Sequence, residues 1–84
     1  MNSMLTVVQE TWAGDKKISS ETICTCETYD GAINRVNGIE NRLLKQGYKK
    51  SFNKPILFIG NLIYMTQVEN ENETINLFAK LVRL

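Results

Sequence analysis

Thr74-Ile75-Asn76-Leu77-Phe78-Ala79-Lys80-Leu81-Val82-Arg83-Leu84 is the stretch whose reading decides the fold. Wound as a helix, it sets Asn76, Lys80 and Arg83 on one narrow face and Ile75, Leu77, Phe78, Leu81, Val82 and Leu84 over the rest. Drawn out as a strand, it sends Lys80 and Arg83 to opposite faces and leaves no clean alternation. The helical period is the better match and predicts a terminal helix. Asn72 or Thr74 would cap it, Glu71 and Glu73 suit its positive end, and Arg83 suits the other. The apolar arc spans about half the circumference, wider than the roughly 100° stripe a surface helix needs. Either it covers a small sheet with all its apolar surface, or part of it meets something else.

Moving toward the amino terminus, Glu69 to Glu73 is an acidic turn. Leu62 to Val68 and Ile56 to Ile59 are strand-like and apolar on both faces, which implies burial on both. Gly60-Asn61 between them fits a two-residue hairpin loop, with a bulge in one long strand as the alternative. Pro55 lacks an N–H and suits the start of a strand. Upstream, Ala32, Ile33, Val36, Ile39, Leu43 and Leu44 recur at threes and fours and predict a helix. Thr28 or Asp30 caps its start, Gly47 fits its end, and Lys45 suits the dipole there. Gly38 inside it marks either a tolerated weak point or a close approach of another element. Asn34, Arg35, Asn37, Asn41, Arg42 and Lys45 fill its polar side. Met4 to Trp12 and Ile18 to Thr28 predict strands joined by a turn at Ala13-Gly14-Asp15, with Thr22, Cys24 and Cys26 as the inward face of the second. The sum is one α+β domain over residues 1–84: a small antiparallel sheet with two helices packed on it, in the order β-β-α-β-β-α.

The chain has 84 residues, 10 Lys plus Arg against 9 Asp plus Glu, two Cys and no His. That length gives a single domain burying roughly 63% of its unfolded surface, a narrow margin that a partner or a homodimer would widen. Without His, one chain holds no histidine relay, histidine metal ligand or histidine pH switch. Met1 to Trp12 has no basic and apolar pattern of a secretory leader, and no apolar run reaches the ~20 residues of a membrane span. A reducing cytosol is therefore expected, where Cys24 and Cys26 stay thiols. Asn, Lys and Ile account for 24 of the 84 residues, an AT-rich coding bias of the kind carried by phage and other mobile elements.

Cys24-Thr25-Cys26 supplies two thiols on one side of a strand, half of a four-ligand zinc set whose other half would have to come from elsewhere. Two small packing side chains are the plainer reading, and no metal or cofactor is expected. Glu10, Asp15, Glu21, Glu27, Asp30 and Glu40 form no acid–base pair, and the five glycines form no phosphate-binding loop. No enzyme activity is expected. The basic-aromatic run Lys45, Tyr48, Lys49, Lys50, Phe52, Lys54 could neutralise phosphates and stack on bases, joined by Lys16 and Lys17. Against that, the acidic turn offsets the charge, and the helix's polar face has three cations among many asparagines. The leading expectation is a small protein-binding regulator or inhibitor that acts by contact, with Ile63, Met65, Phe78 and Val82 at or just beneath its interface. The second is a nucleic-acid-binding accessory protein using Lys16, Lys17, Lys49, Lys50 and Lys54.

Overall fold

Thr74–Arg83 is a strand. The computed structural model describes residues 3–51 and 61–83, and its elements are β1 (Ser3–Ala13), β2 (Lys16–Cys26), α1 (Tyr29–Lys45), β3 (Lys49–Lys50), β4 (Leu62–Glu69) and β5 (Thr74–Arg83). The strands form one sheet in the spatial order β2-β1-β5-β4-β3, with every neighbouring pair antiparallel. The α+β class is as expected. The expected β-β-α-β-β-α order with two helices is corrected, because α1 is the only helix among the described residues and the last element joins the sheet.

The cause lies in where β5 sits. It is paired on both edges, by β1 and β4, and buried on both faces. Ile75, Leu77 and Ala79 join the core under α1, with Leu77 at 0% exposure, while Thr74, Asn76 and Phe78 alternate with them and are also buried. Phe78 and Val82 stand on the face of Thr74, Asn76 and Lys80, and so blur the two-residue alternation that Ile75, Leu77, Ala79 and Leu81 would otherwise reveal. The four-and-three spacing of Asn76, Lys80 and Arg83 then mimics a helical stripe. The expected strand over 56–59 lies outside the described residues, as does Gly60. Asn61 is described: its backbone carbonyl accepts from Leu81 N at 2.9 Å, and its side-chain amide donates to Leu81 O at 2.7 Å.

The expected β1–β2 hairpin forms, turning at Gly14 with φ +61°. Its register skips Ile23 between the pairs Val7–Cys24 and Val8–Thr22, and skips Ile18 between Thr11–Ser19 and Trp12–Lys17. Two bulges in β2 therefore reverse the faces along it. Cys24 and Cys26 face α1, but Thr22 does not, which corrects the single inward face expected for the three. A third bulge in β4, between Leu62 and Tyr64, leaves Ile63 unmatched. Of the three skipped residues, Ile18 and Ile63 stand 60% and 38% exposed, while Ile23 packs against the core.

Helix α1 begins and ends as its sequence dictates. Thr28 Oγ1 accepts from Gly31 N at 3.1 Å. At the far end, Gly47 at φ +102° lets its own N–H reach Leu44 O and lets Tyr48 N reach Leu43 O, the paired bonds of a Schellman cap. Between the caps, Ala32, Val36 and Ile39 pack on Leu5 and Val7 of β1, Val68 of β4, and Ile75, Leu77 and Ala79 of β5. Each fully buried Val, Leu or Ile contributes roughly 1.5–3 kcal/mol.

The two helix glycines differ. A Cβ at Gly31 would stand 2.9 Å from the capping Thr28 Oγ1, whereas a Cβ at Gly38 would meet nothing within 4 Å. No element approaches Gly38, so it is the tolerated weak point. Gly38→Ala is expected to raise stability by about 1 kcal/mol, and Gly31→Ala to lower it by disturbing the cap. Urea unfolding of the two variants checks both signs.

Candidate functional site

Polar residues form a seam between α1 and the sheet. Glu40 projects from the helix toward β4 and is buried. The Thr66 hydroxyl donates to its Oε2, and Lys50 Nζ lies 3.8 Å from Oε1. One turn earlier, Tyr64 donates its hydroxyl to Asn37 Oδ1 at 3.1 Å. In the sequence Glu40 belongs to no acid–base pair, and its spacing from Val36 and Leu43 is the clue that it faces inward. With each oxygen held by a different partner, Glu40 is an anchor for the helix. On the face away from α1, Gln67 is buried and donates to Asn76 Oδ1 at 2.7 Å.

Cys24 and Cys26 are free thiols with Sγ atoms 3.8 Å apart. Burial, and then the neighbouring Cys24, push the Cys26 thiol above its ordinary value. That is the opposite of what a nucleophilic or redox-active cysteine needs. Among the described residues, no three His, Cys, Asp or Glu side chains gather as a metal site.

An open groove of about 460 Å³ lies at the end of α1, lined by Gly47, Lys49, Glu69, Asn70, Glu71 and Asn72. Its floor is a turn closed by Asn70, whose Oδ1 accepts from Asn72 N at 2.8 Å and Glu73 N at 2.9 Å. Tyr48 beside it packs partly against the core. Its burial, and then the Glu73 carboxylate, push the phenol above its ordinary value. Tyr48 thus serves as packing for the turn more than as an exposed stacking surface.

The basic residues picked out from the sequence do not converge. Lys17, Trp12, Thr74, Glu69 and Lys49 follow one another across the sheet in a single row. Lys17 and Lys49 are therefore four strand spacings apart, about 19 Å. Lys17 is also 3.7 Å from Glu10 Oε2. Lys50 turns to the opposite face of β3 and meets Glu40. Lys16 sits beside the hairpin turn, and Lys54 lies outside the described residues.

The four apolar candidates do fall in one region, on β4 and β5. Met65 pairs directly with Phe78, Val82 lies four residues along the same face of β5, and Ile63 is the exposed bulge residue. Phe78 is buried; Met65 and Val82 are half-buried. The feature missed from the sequence is the place of β2 in the sheet: eleven residues at the edge, paired with β1 alone among the described strands, and mostly exposed. No helix of the described residues is long and apolar enough to cross a membrane. No protein-family model, curated protein or solved structure matches the chain.

Thr66→Val strips Glu40 of its buried donor and is expected to cost about 1–3 kcal/mol, read by chemical denaturation. Because the Tyr48 phenol titrates higher in the folded chain, its contribution is complete below the ordinary tyrosine value near 10 and is lost as pH rises beyond it. Melting temperature is expected to fall across that range, and less steeply in Tyr48→Phe.

Proposed function

We propose that the protein acts by contact, as a regulator or inhibitor that binds another protein through the free edge of its sheet. The observation that carries this reading is β2, an eleven-residue strand with one pairing partner among the described strands. Its outer N–H and C=O groups are available to an extended segment of a partner, the mode of strand addition. Edge strands of this length invite pairing, and proteins that avoid it shorten or charge them. Here Lys16, Lys17 and the bulge at Ile18 restrict the amino-terminal half and the bulge at Ile23 interrupts the other, while Ile18 adds an apolar side chain at 60% exposure. The absence of a catalytic or metal-binding cluster among the described residues is compatible with this reading and does not carry it. A reducing cytosol and a mobile-element origin belong to the same proposal, supported by the sequence composition.

The test compares Ile18→Lys with Ile63→Lys, on the β2 edge and the β4 bulge. Tagged chains at micromolar concentration are used to capture partners from lysate, with sedimentation of each chain alone. Capture of one defined protein is expected from the parent chain and from Ile63→Lys, and to be lost in Ile18→Lys. Loss in Ile63→Lys alone moves the contact to the surface around Ile63, Met65, Phe78 and Val82. A strict monomer that captures nothing rejects the reading.

A further inference from the structure

We propose that the solvent face of α1 binds the phosphodiester backbone of a nucleic-acid duplex. The sequence repeats Asn-Arg at Asn34-Arg35 and Asn41-Arg42. A seven-residue interval is nearly two whole helical turns, so the second pair returns to the same side with a drift of about 20°. Arg35, Arg42 and Lys45 are all exposed, and neither the Lys17–Glu10 nor the Lys50–Glu40 ion pair includes any of them.

Sequence alone sets Glu40 among these cations and dilutes them. The structure removes it. Glu40 points under the helix, where Thr66 and Lys50 occupy its carboxylate. Asp30 in the first turn is then the one carboxylate on the exposed side of α1, and beyond it, from Gly31 to Gln46, that side presents cations and amides.

The helix dipole accounts for Arg42 and Lys45, which stand in the last turn. It does not account for Arg35, nearer the start. Nor does helix propensity explain the exposed Asn34 and Asn41, since Asn is a poor helix former; Asn37 is already held by Tyr64. Both residue types have a use against a duplex: guanidinium groups bind phosphate oxygens, and Asn amides donate to phosphates or to base edges. The rise per residue sets Arg35 and Arg42 about 10.5 Å apart, close to the roughly 10 Å covered by three base-pair steps. Gly38 lies between the two pairs with open space around it, and leaves a low floor over which a sugar–phosphate chain can pass. A regularly repeated polyanion matches this periodic row better than the irregular charges of an acidic protein. The row is on a different face from the β2 edge, so it holds or fails independently of the proposed protein contact.

The experiment is a retardation assay on the full chain with duplex DNA and duplex RNA of mixed sequence, repeated from 50 to 200 mM salt. Single strands and polyglutamate are run beside them. The variants are Arg35→Gln/Arg42→Gln/Lys45→Gln and, as comparison, Lys16→Gln/Lys17→Gln. With three phosphate contacts, affinity is expected to fall roughly 40-fold over that salt range. Binding is expected to drop at least tenfold in the helix variant and to persist in the hairpin variant. Circular dichroism establishes that both variants fold. Retention of either duplex with this pattern supports the proposal, and the better retained duplex names the source. No retardation at 50 mM salt, binding kept by the folded helix variant, or equal binding to polyglutamate each overturns it.

Discussion

The burial of β5 on both faces is the constraint from which the rest of the structure follows. Leu77 and its alternating neighbours receive α1, while Phe78 and its alternating neighbours form the interior of the opposite face. Both edges of β5 are also paired. One ten-residue strand thus determines where the helix lies, where β1 and β4 lie, and therefore which strand is left at the outside. The hairpin β1–β2 is hydrogen-bonded to this centre through β1, and among the described strands that leaves the outer edge of β2 unpaired.

How far this architecture could be read in advance depends on how local each decision is. The first hairpin turns at Gly14, and α1 is delimited by Thr28 and Gly47; each is settled by a few neighbouring residues and was legible. The nature of Thr74–Arg83 was not, because its burial is produced by strands distant in sequence, and Phe78 and Val82 break the polar face of Thr74, Asn76 and Lys80 that would mark a strand. The free edge of β2 was illegible for the same reason, since it exists only once β5 takes the place beside β1. Bulges added a smaller error. Skipping Ile23 turned Thr22 away from the face shared by Cys24 and Cys26, and nothing in a run of β-branched residues marks which one is skipped.

Charge tells a related story. The chain is almost neutral overall, but the fold sorts its charges by direction. Glu40 is drawn inward to hold Thr66 and Lys50, while Arg35, Arg42 and Lys45 are left facing outward. Lys50 is neutralised by the same act, so a basic run that looks continuous along the chain is split between two faces of β3 and the interior seam. Net charge and linear runs are thus poor guides to the surface a partner meets; the inward or outward sense of a few residues decides it.

The order of the strands also sets a schedule. Ser3 pairs with Arg83 and Trp12 with Thr74, so the second strand of the sheet's central pair is made last. During synthesis the β1–β2 hairpin and α1 emerge early, with their apolar sides still lacking the surface they will cover. A lone hairpin is marginal in water, and these segments gain little until the chain reaches β5. Closure then joins the two ends of the fold in one step, a long-range pairing of the kind that slows folding. A ribosome that stalls before residue 74 would hold out an unmatched β1 edge in addition to that of β2, and chaperones or neighbouring nascent chains would compete for it.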